Sequence, residues 1–94
     1  MGLGSTVTGK LPVSEVSRVF GLRARERRKM KGWSMERLAD ECGIHWSMIG
    51  QIERGQCNVG LHNIVKVAAG LDVDPSELVR GLRPPSASPE GPVG

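Results

Sequence analysis

A chain of 94 residues with net charge +3 and three aromatic residues (Phe20, Trp33, Trp46) makes one small domain whose core must be built from aliphatic side chains. A core of that size argues against a deep catalytic cleft. No apolar run is long enough to cross a membrane and no signal core precedes a cleavage site, so a cytoplasmic protein is expected. The charge is unevenly placed: positions 18–37 carry eight basic residues against two acidic ones, net +6, while from Leu38 onward four basic residues face seven acidic ones, net −3. A basic half of this kind points to a polyanion.

Residues 1–12 show no periodicity and are expected to be disordered, and the Pro/Ser/Gly-rich tail 83–94 to be flexible. Between them, 13–82 reads as one domain of five helices. The first begins with Pro12 in its first turn or with Ser14 as N-cap and ends near Lys31, before Gly32; Gly21 in its middle predicts a break or a later start. Ser34 caps the second helix, which runs to Cys42 with Leu38, Ala39 and Cys42 inward, and Glu36 in its first turn suits the helix dipole. Trp33, just ahead of that cap, reads as a staple residue buried in the core. After a turn at Gly43, with Ile44 or His45 at the start, the third helix runs from Trp46 to Arg54 with Ile49 and Ile52 inward and stops at Gly55. The fourth spans Leu61 to about Gly70, with Leu61, Ile64, Val65, Ala68 and Leu71 at helical spacing. The fifth is short, with Asp74 as cap and Pro75 in its first position. No strand-like alternation remains, so the fold is all-α.

Arg28, Gly32, Ser34, Leu38-Ala39, Gly43-Ile44, Ile49, Ile52-Glu53-Arg54-Gly55, Asn58, Ala68, Leu71 and Val73-Asp74, spread over about 22–82, resemble the lambda-repressor-like (XRE/Cro/CI-type) helix-turn-helix family, which includes restriction-modification controller proteins. The resemblance implies a five-helix DNA-binding domain with the helix-turn-helix at helices two and three. It places Gly43 at a positive-φ corner, Gly55 at a left-handed stop, and Arg28 with Glu53 in a partly buried ion pair. Helix three becomes the reading helix, with Trp46, Ser47 and Gln51 toward base edges and His45 beside them. A glutamine amide suits adenine, a serine hydroxyl donates or accepts, and an indole packs on thymine methyls. Phosphate contacts fall to Arg23, Arg27, Ser34, Arg37, Gln56 and Asn58. The implied partners are double-stranded DNA, bound as a homodimer on a (pseudo)palindromic operator, and a regulatory protein. The dimer surface is expected at Leu78, Val79 and Leu82, or at Val16, Val19 and Phe20.

Departures from the family pattern support a second reading. Met35 stands where relatives often carry glutamine, the reading helix has no basic residue before Arg54, and Gly50 lies within it. An apolar surface of Trp46 and Met48, with Met35 nearby, suits a protein-interaction module on the same fold, such as an adaptor or antitoxin-like partner. Cys42-x2-His45 and Cys57-x4-His62 have zinc-like spacing, but an inward Cys42 and an outward His45 diverge, so no metal or cofactor is expected and Cys57 reads as an exposed loop thiol. Neither histidine has a nucleophile at a recognisable spacing, and Asp40 and Glu41, adjacent on a helix, point apart. An enzyme is not expected.

Overall fold

A computed structural model describes residues 11–84. They form α1 (Glu15–Met30), α2 (Met35–Cys42), α3 (Trp46–Glu53), α4 (Leu61–Leu71) and α5 (Ser76–Val79), with no strand among the described residues. The ends expected to be disordered lie outside that range apart from Leu11, Pro12, Arg83 and Pro84. The Val13 N–H donates to Gly55 O at 2.8 Å, so the chain entering α1 docks on the loop that leaves α3.

Ser14, not Pro12, starts α1: its Oγ accepts the Ser17 N–H at 3.0 Å. Gly21 does not break the helix. A Cβ there would run into the Ile52 carbonyl oxygen and lie 2.7 Å from that of Glu53, so the glycine marks where α1 and α3 cross backbone to backbone. Ser34 Oγ accepts the Arg37 N–H at 3.0 Å and opens α2. Gly43 (φ 70°) closes it, and the N–H groups of Gly43 and Ile44 both donate to Ala39 O. His45 caps α3 in an unusual way for a histidine: Nδ1 accepts the Ser47 N–H at 3.1 Å, which leaves a neutral ring's proton on Nε2. Gly55 (φ 72°) follows α3 as expected.

The buried face of α4 is rotated from the one its spacing suggested. Val67, Ala68, Gly70 and Leu71 are buried, whereas Leu61 is 77% and Val65 48% exposed. Contact with α2 sets the rotation: a Cβ on Gly70 would strike Cys42 Sγ and lie 2.9 Å from Cys42 Cα, so only glycine admits this approach. Leu61 and Val65 then fall at the edge of the stripe, facing water. Asp74 Oδ1 accepts the Ser76 N–H at 2.8 Å ahead of α5, and this bond holds the carboxyl below its ordinary range.

Leu38, Ile49, Ile52, Val67, Leu71 and Leu78 are the largest fully buried side chains, joined by Phe20 and Ala24. Cys42 is buried, as expected, with Sγ 3.8 Å from Val67 O. Cys57 is not the exposed thiol expected; it is half-buried and packed against the core. Burial pushes the Cys42 thiol up to about 11, with Glu41 adding to the shift, and raises Cys57 as well. A thiol whose folded pKa lies above its unfolded value stabilises fully below the ordinary 9.0 and loses that contribution as pH rises toward 11. Under native conditions at neutral pH, a thiol reagent followed by mass spectrometry is expected to modify Cys57 first. Cys42 should react only when the chain opens, and equal rates at the two would contradict the packing.

Candidate nucleic-acid interface

The site is the outer side of the α2–α3 pair. Ile49, Gly50, Ile52 and Glu53 turn inward on α3, which leaves His45, Trp46, Ser47, Met48, Gln51 and Arg54 exposed. At the helix start the His45 and Trp46 rings stack with centroids 5.8 Å apart, and His45 Nδ1 lies 2.9 Å from Ser47 Oγ. Trp46 is 54% exposed. The four residues expected to read bases therefore share one solvent-facing surface.

The apolar surface of the second reading is less continuous than its residue types suggest. Met48 Sδ accepts from Asn63 Nδ2 at 3.7 Å, toward α4. Met35 is half-buried against the core, not outward. Gly50 is buried as well: the Arg54 guanidinium lies over it, 3.1 Å from where a Cβ would be.

Beneath this face lies the ion pair that the resemblance implied. Arg28 Nε donates to Glu53 Oε2 at 2.6 Å and Nη2 to Oε1 at 2.9 Å, a two-pronged pair with side-chain exposures of 11% and 5%. Nη1 also donates to Trp33 O at 2.8 Å, so one guanidinium ties α1 to α3 and to the turn before α2. The Glu53 hydrogen bond outweighs desolvation and raises the Arg28 pKa further.

The structure divides the expected phosphate contacts. Arg23 does not belong to this face. Its Nη1 donates to Arg80 O at 2.7 Å and Leu78 O at 3.3 Å, closing the end of α5. Arg27 is likewise taken up, in an ion pair with Glu77 of α5. The cause is rotation: Arg28 faces α3, and Arg25, three residues earlier, shares that side, while Arg23 and Arg27 turn away from it. Arg25 and Arg54 were missed. They flank a depression lined by Arg28, Met35, Gly50 and Glu53, and the i,i+3 spacing of Arg25 to Arg28 was the available signal. Arg37 is exposed, with Nε 2.9 Å from Glu41 Oε2. Ser34 Oγ already accepts as the α2 cap, Gln56 Oε1 accepts from Arg54 Nε at 3.1 Å, and Asn58 is exposed.

Of the expected dimer residues, Leu78 is fully buried and cannot meet a partner, and Phe20 is buried too. Helix α5 is so short that its one central apolar side chain goes to the core. Val79 and Leu82 are half-buried and, with Val16 and Val19, line grooves between α1 and the chain after α5. Among the described residues no group of three or more His, Cys, Asp or Glu is placed to hold a metal, and no helix is long and apolar enough to cross a membrane.

A helix-turn-helix family model matches residues 25–78, more than half of the chain. The chain belongs to the helix-turn-helix family. The control protein C.BamHI of Bacillus amyloliquefaciens is 44% identical over 62 residues, covering 65% of this chain and 76% of that protein. The crystal structure of the restriction-modification controller protein C.AhdI from Aeromonas hydrophila superposes with a TM-score of 0.64 at 50% identity, over 66% of this chain and 94% of that one. SinR, the master regulator for biofilm formation, solved in complex with DNA, gives 0.59 at 38% identity over 63% and 95%. SinR has also been solved with the SinI protein, at 0.62 and 35% over 66% and 61%. These relatives are named as control proteins and regulators.

Proposed function

We propose that this helix-turn-helix protein is a sequence-specific transcriptional regulator of the cytoplasm that binds double-stranded DNA as a homodimer on a (pseudo)palindromic operator. The observation that carries it is the exposed face of α3, where Trp46, Ser47, Gln51 and His45 stand on a buried frame beside Arg25 and Arg54. Serine and glutamine supply hydrogen bonds to base edges, and the flanking cations supply the sequence-independent attraction to phosphate. Ser34, Arg37, Gln56 and Asn58 extend the phosphate contacts, and Val79 and Leu82 with Val16 and Val19 offer the second copy its surface. SinR has been solved both with DNA and with the SinI protein, and the exposed Trp46 offers this chain a foothold for a regulatory partner of its own.

Selection of bound duplexes from a random pool tests this reading. The expected sites are inverted repeats with half-site centres about one turn, ~34 Å, apart. Affinity should fall linearly on a log–log plot against salt. Gln51→Ala should weaken operator binding by ~1–3 kcal/mol and relax the preference at one base pair, with the salt slope kept. Recovered duplexes without a shared motif, or binding indifferent to salt, would contradict the proposal.

A further inference from the structure

We infer that His45 is a positioning residue that sets the hydrogen-bonding sense of Ser47, an inference that rests on the DNA-binding reading above. By taking up the Ser47 hydroxyl proton, the His45 ring presents Ser47 to the duplex as an acceptor, which selects an amine-bearing base, adenine or cytosine. A serine hydroxyl ordinarily has no such preference, because it donates or accepts as its partner requires. Two contacts remove the choice here. The Ser47 N–H donates to His45 Nδ1 at 3.1 Å, and Ser47 Oγ lies 2.9 Å from the same nitrogen. A ring nitrogen that accepts from a backbone N–H holds no proton of its own. The proton between Nδ1 and Oγ is therefore the hydroxyl's, and the lone pairs of Oγ are left for a partner outside the protein.

The ring is held for this role. His45 stands at the N-cap of α3, and its ring stacks on Trp46 with an interplanar angle of 28°. Ser47 is the second residue of the helix, where an N-cap side chain ordinarily finds its N–H. The short reach that caps the helix thus also brings Nδ1 onto Oγ. His45, Trp46 and Ser47 are all exposed, and the N-terminal residues of a reading helix are the ones that meet base edges. In the major groove adenine N6 and cytosine N4 are donors, whereas guanine O6 and thymine O4 are acceptors. An amine completes a chain from base to Oγ to Nδ1 in which every step has one donor and one acceptor. A keto oxygen would face lone pairs, and Ser47 could meet it only by breaking its bond to His45. Forfeiting one hydrogen bond corresponds to a roughly two- to ten-fold preference for the amine.

The test is selection of bound duplexes from a random pool by the full chain at about pH 8, above the range in which imidazole ordinarily titrates, with base ratios compared position by position. Wild type should show one position per half-site, identified as the one that flattens in Ser47→Ala, at which adenine and cytosine outweigh guanine and thymine. His45→Gly removes the acceptor at little cost to the helix start, since glycine is tolerated at an N-cap. Freed of the ring, Ser47 also donates, so that position should admit guanine and thymine roughly two- to ten-fold more readily. The position set by Gln51 should persist. Loss of a cap alone would lower affinity for every duplex and leave the base ratios as they were. His45→Asn, whose side-chain oxygen can accept both the N–H and the hydroxyl, should restore the preference. An unchanged ratio in His45→Gly, failure of His45→Asn to restore it, or a wild-type preference for guanine and thymine would overturn the inference while leaving DNA binding intact. So would the lack of any position that flattens in Ser47→Ala. If His45→Gly does not fold, NMR of the free wild-type chain decides: a scalar coupling across the hydrogen bond from the Ser47 amide nitrogen to His45 Nδ1 is expected, and its absence overturns the inference. A wild-type pool without a shared motif overturns the DNA reading itself, and the inference with it.

Discussion

Replacing Arg28 with alanine is expected to destabilise the fold by about 3–5 kcal/mol, because it leaves the Glu53 carboxylate buried without its partner. Glu53 has only 5% of its side chain exposed and both oxygens engaged by the Arg28 fork, so water cannot replace what is lost. The Trp33 carbonyl loses a donor in the same step. For a domain of this length the loss corresponds to a fall in Tm of about 12 °C or more, readable by thermal unfolding or urea titration. Arg28→Lys should recover little, since an ammonium cannot reproduce two parallel bonds to Glu53 and a third to Trp33. Arg28→Met combined with Glu53→Leu should be far more stable than Arg28→Ala alone, because it removes the desolvation cost along with the attraction. A loss below about 1 kcal/mol in Arg28→Ala would mean that the pair behaves as a surface ion pair.

That pair was legible in the sequence only through the resemblance, whereas much of the frame was legible from local chemistry. Ser34, Gly43 and Gly55 mark helix ends by capping or by a left-handed backbone, both of which depend on neighbours a few residues away, whereas α5 starts one residue later than expected, with Pro75 and not Asp74 at its N-cap. The inward Leu38, Ala39, Cys42, Ile49 and Ile52 follow from helical spacing. What was not legible depends on how helices are turned against one another. Leu61 and Val65 obey the periodicity of α4, yet the closeness allowed by Gly70 and Cys42 selects a neighbouring stripe. Leu78 looked available for a dimer because a four-residue helix has no periodicity to reveal its buried side. Charge alone makes Arg23 and Arg27 candidates for phosphate, but the rotation of α1 hands the α3 side to Arg25 instead. Among the residues expected to read bases, exposure at Trp46, Ser47 and Gln51 followed from the inward isoleucines. His45 was one of the two residues expected at the start of α3, but the capping bond of its ring had no signal, because histidine is seldom used that way.

Gly21 supplies a prediction whose sign alone discriminates. In an ordinary helix interior, glycine to alanine stabilises by ~1 kcal/mol. Here Gly21→Ala is expected to destabilise by about 3 kcal/mol, the upper end of the usual overpacking range. The obstacles are the carbonyl oxygens of Ile52 and Glu53, and backbone atoms have no rotamer by which to move aside. Gly50→Ala is the internal control. There the nearest atoms belong to the far end of the Arg54 side chain, at 3.1 Å, so the guanidinium can swing away and the helix-propensity gain should survive. Urea titration of the two variants beside wild type gives both signs at once; stabilisation by Gly21→Ala would show that α1 and α3 do not cross as closely as described. The substitution also bears on function. Pushing α3 off α1 strains the Arg28–Glu53 bonds and moves Ser47 and Gln51 relative to Arg25 on α1. Base contacts and phosphate contacts need a common register on the duplex, so a Gly21→Ala chain that still folds should lose specific affinity for its operator more than it loses affinity for arbitrary DNA.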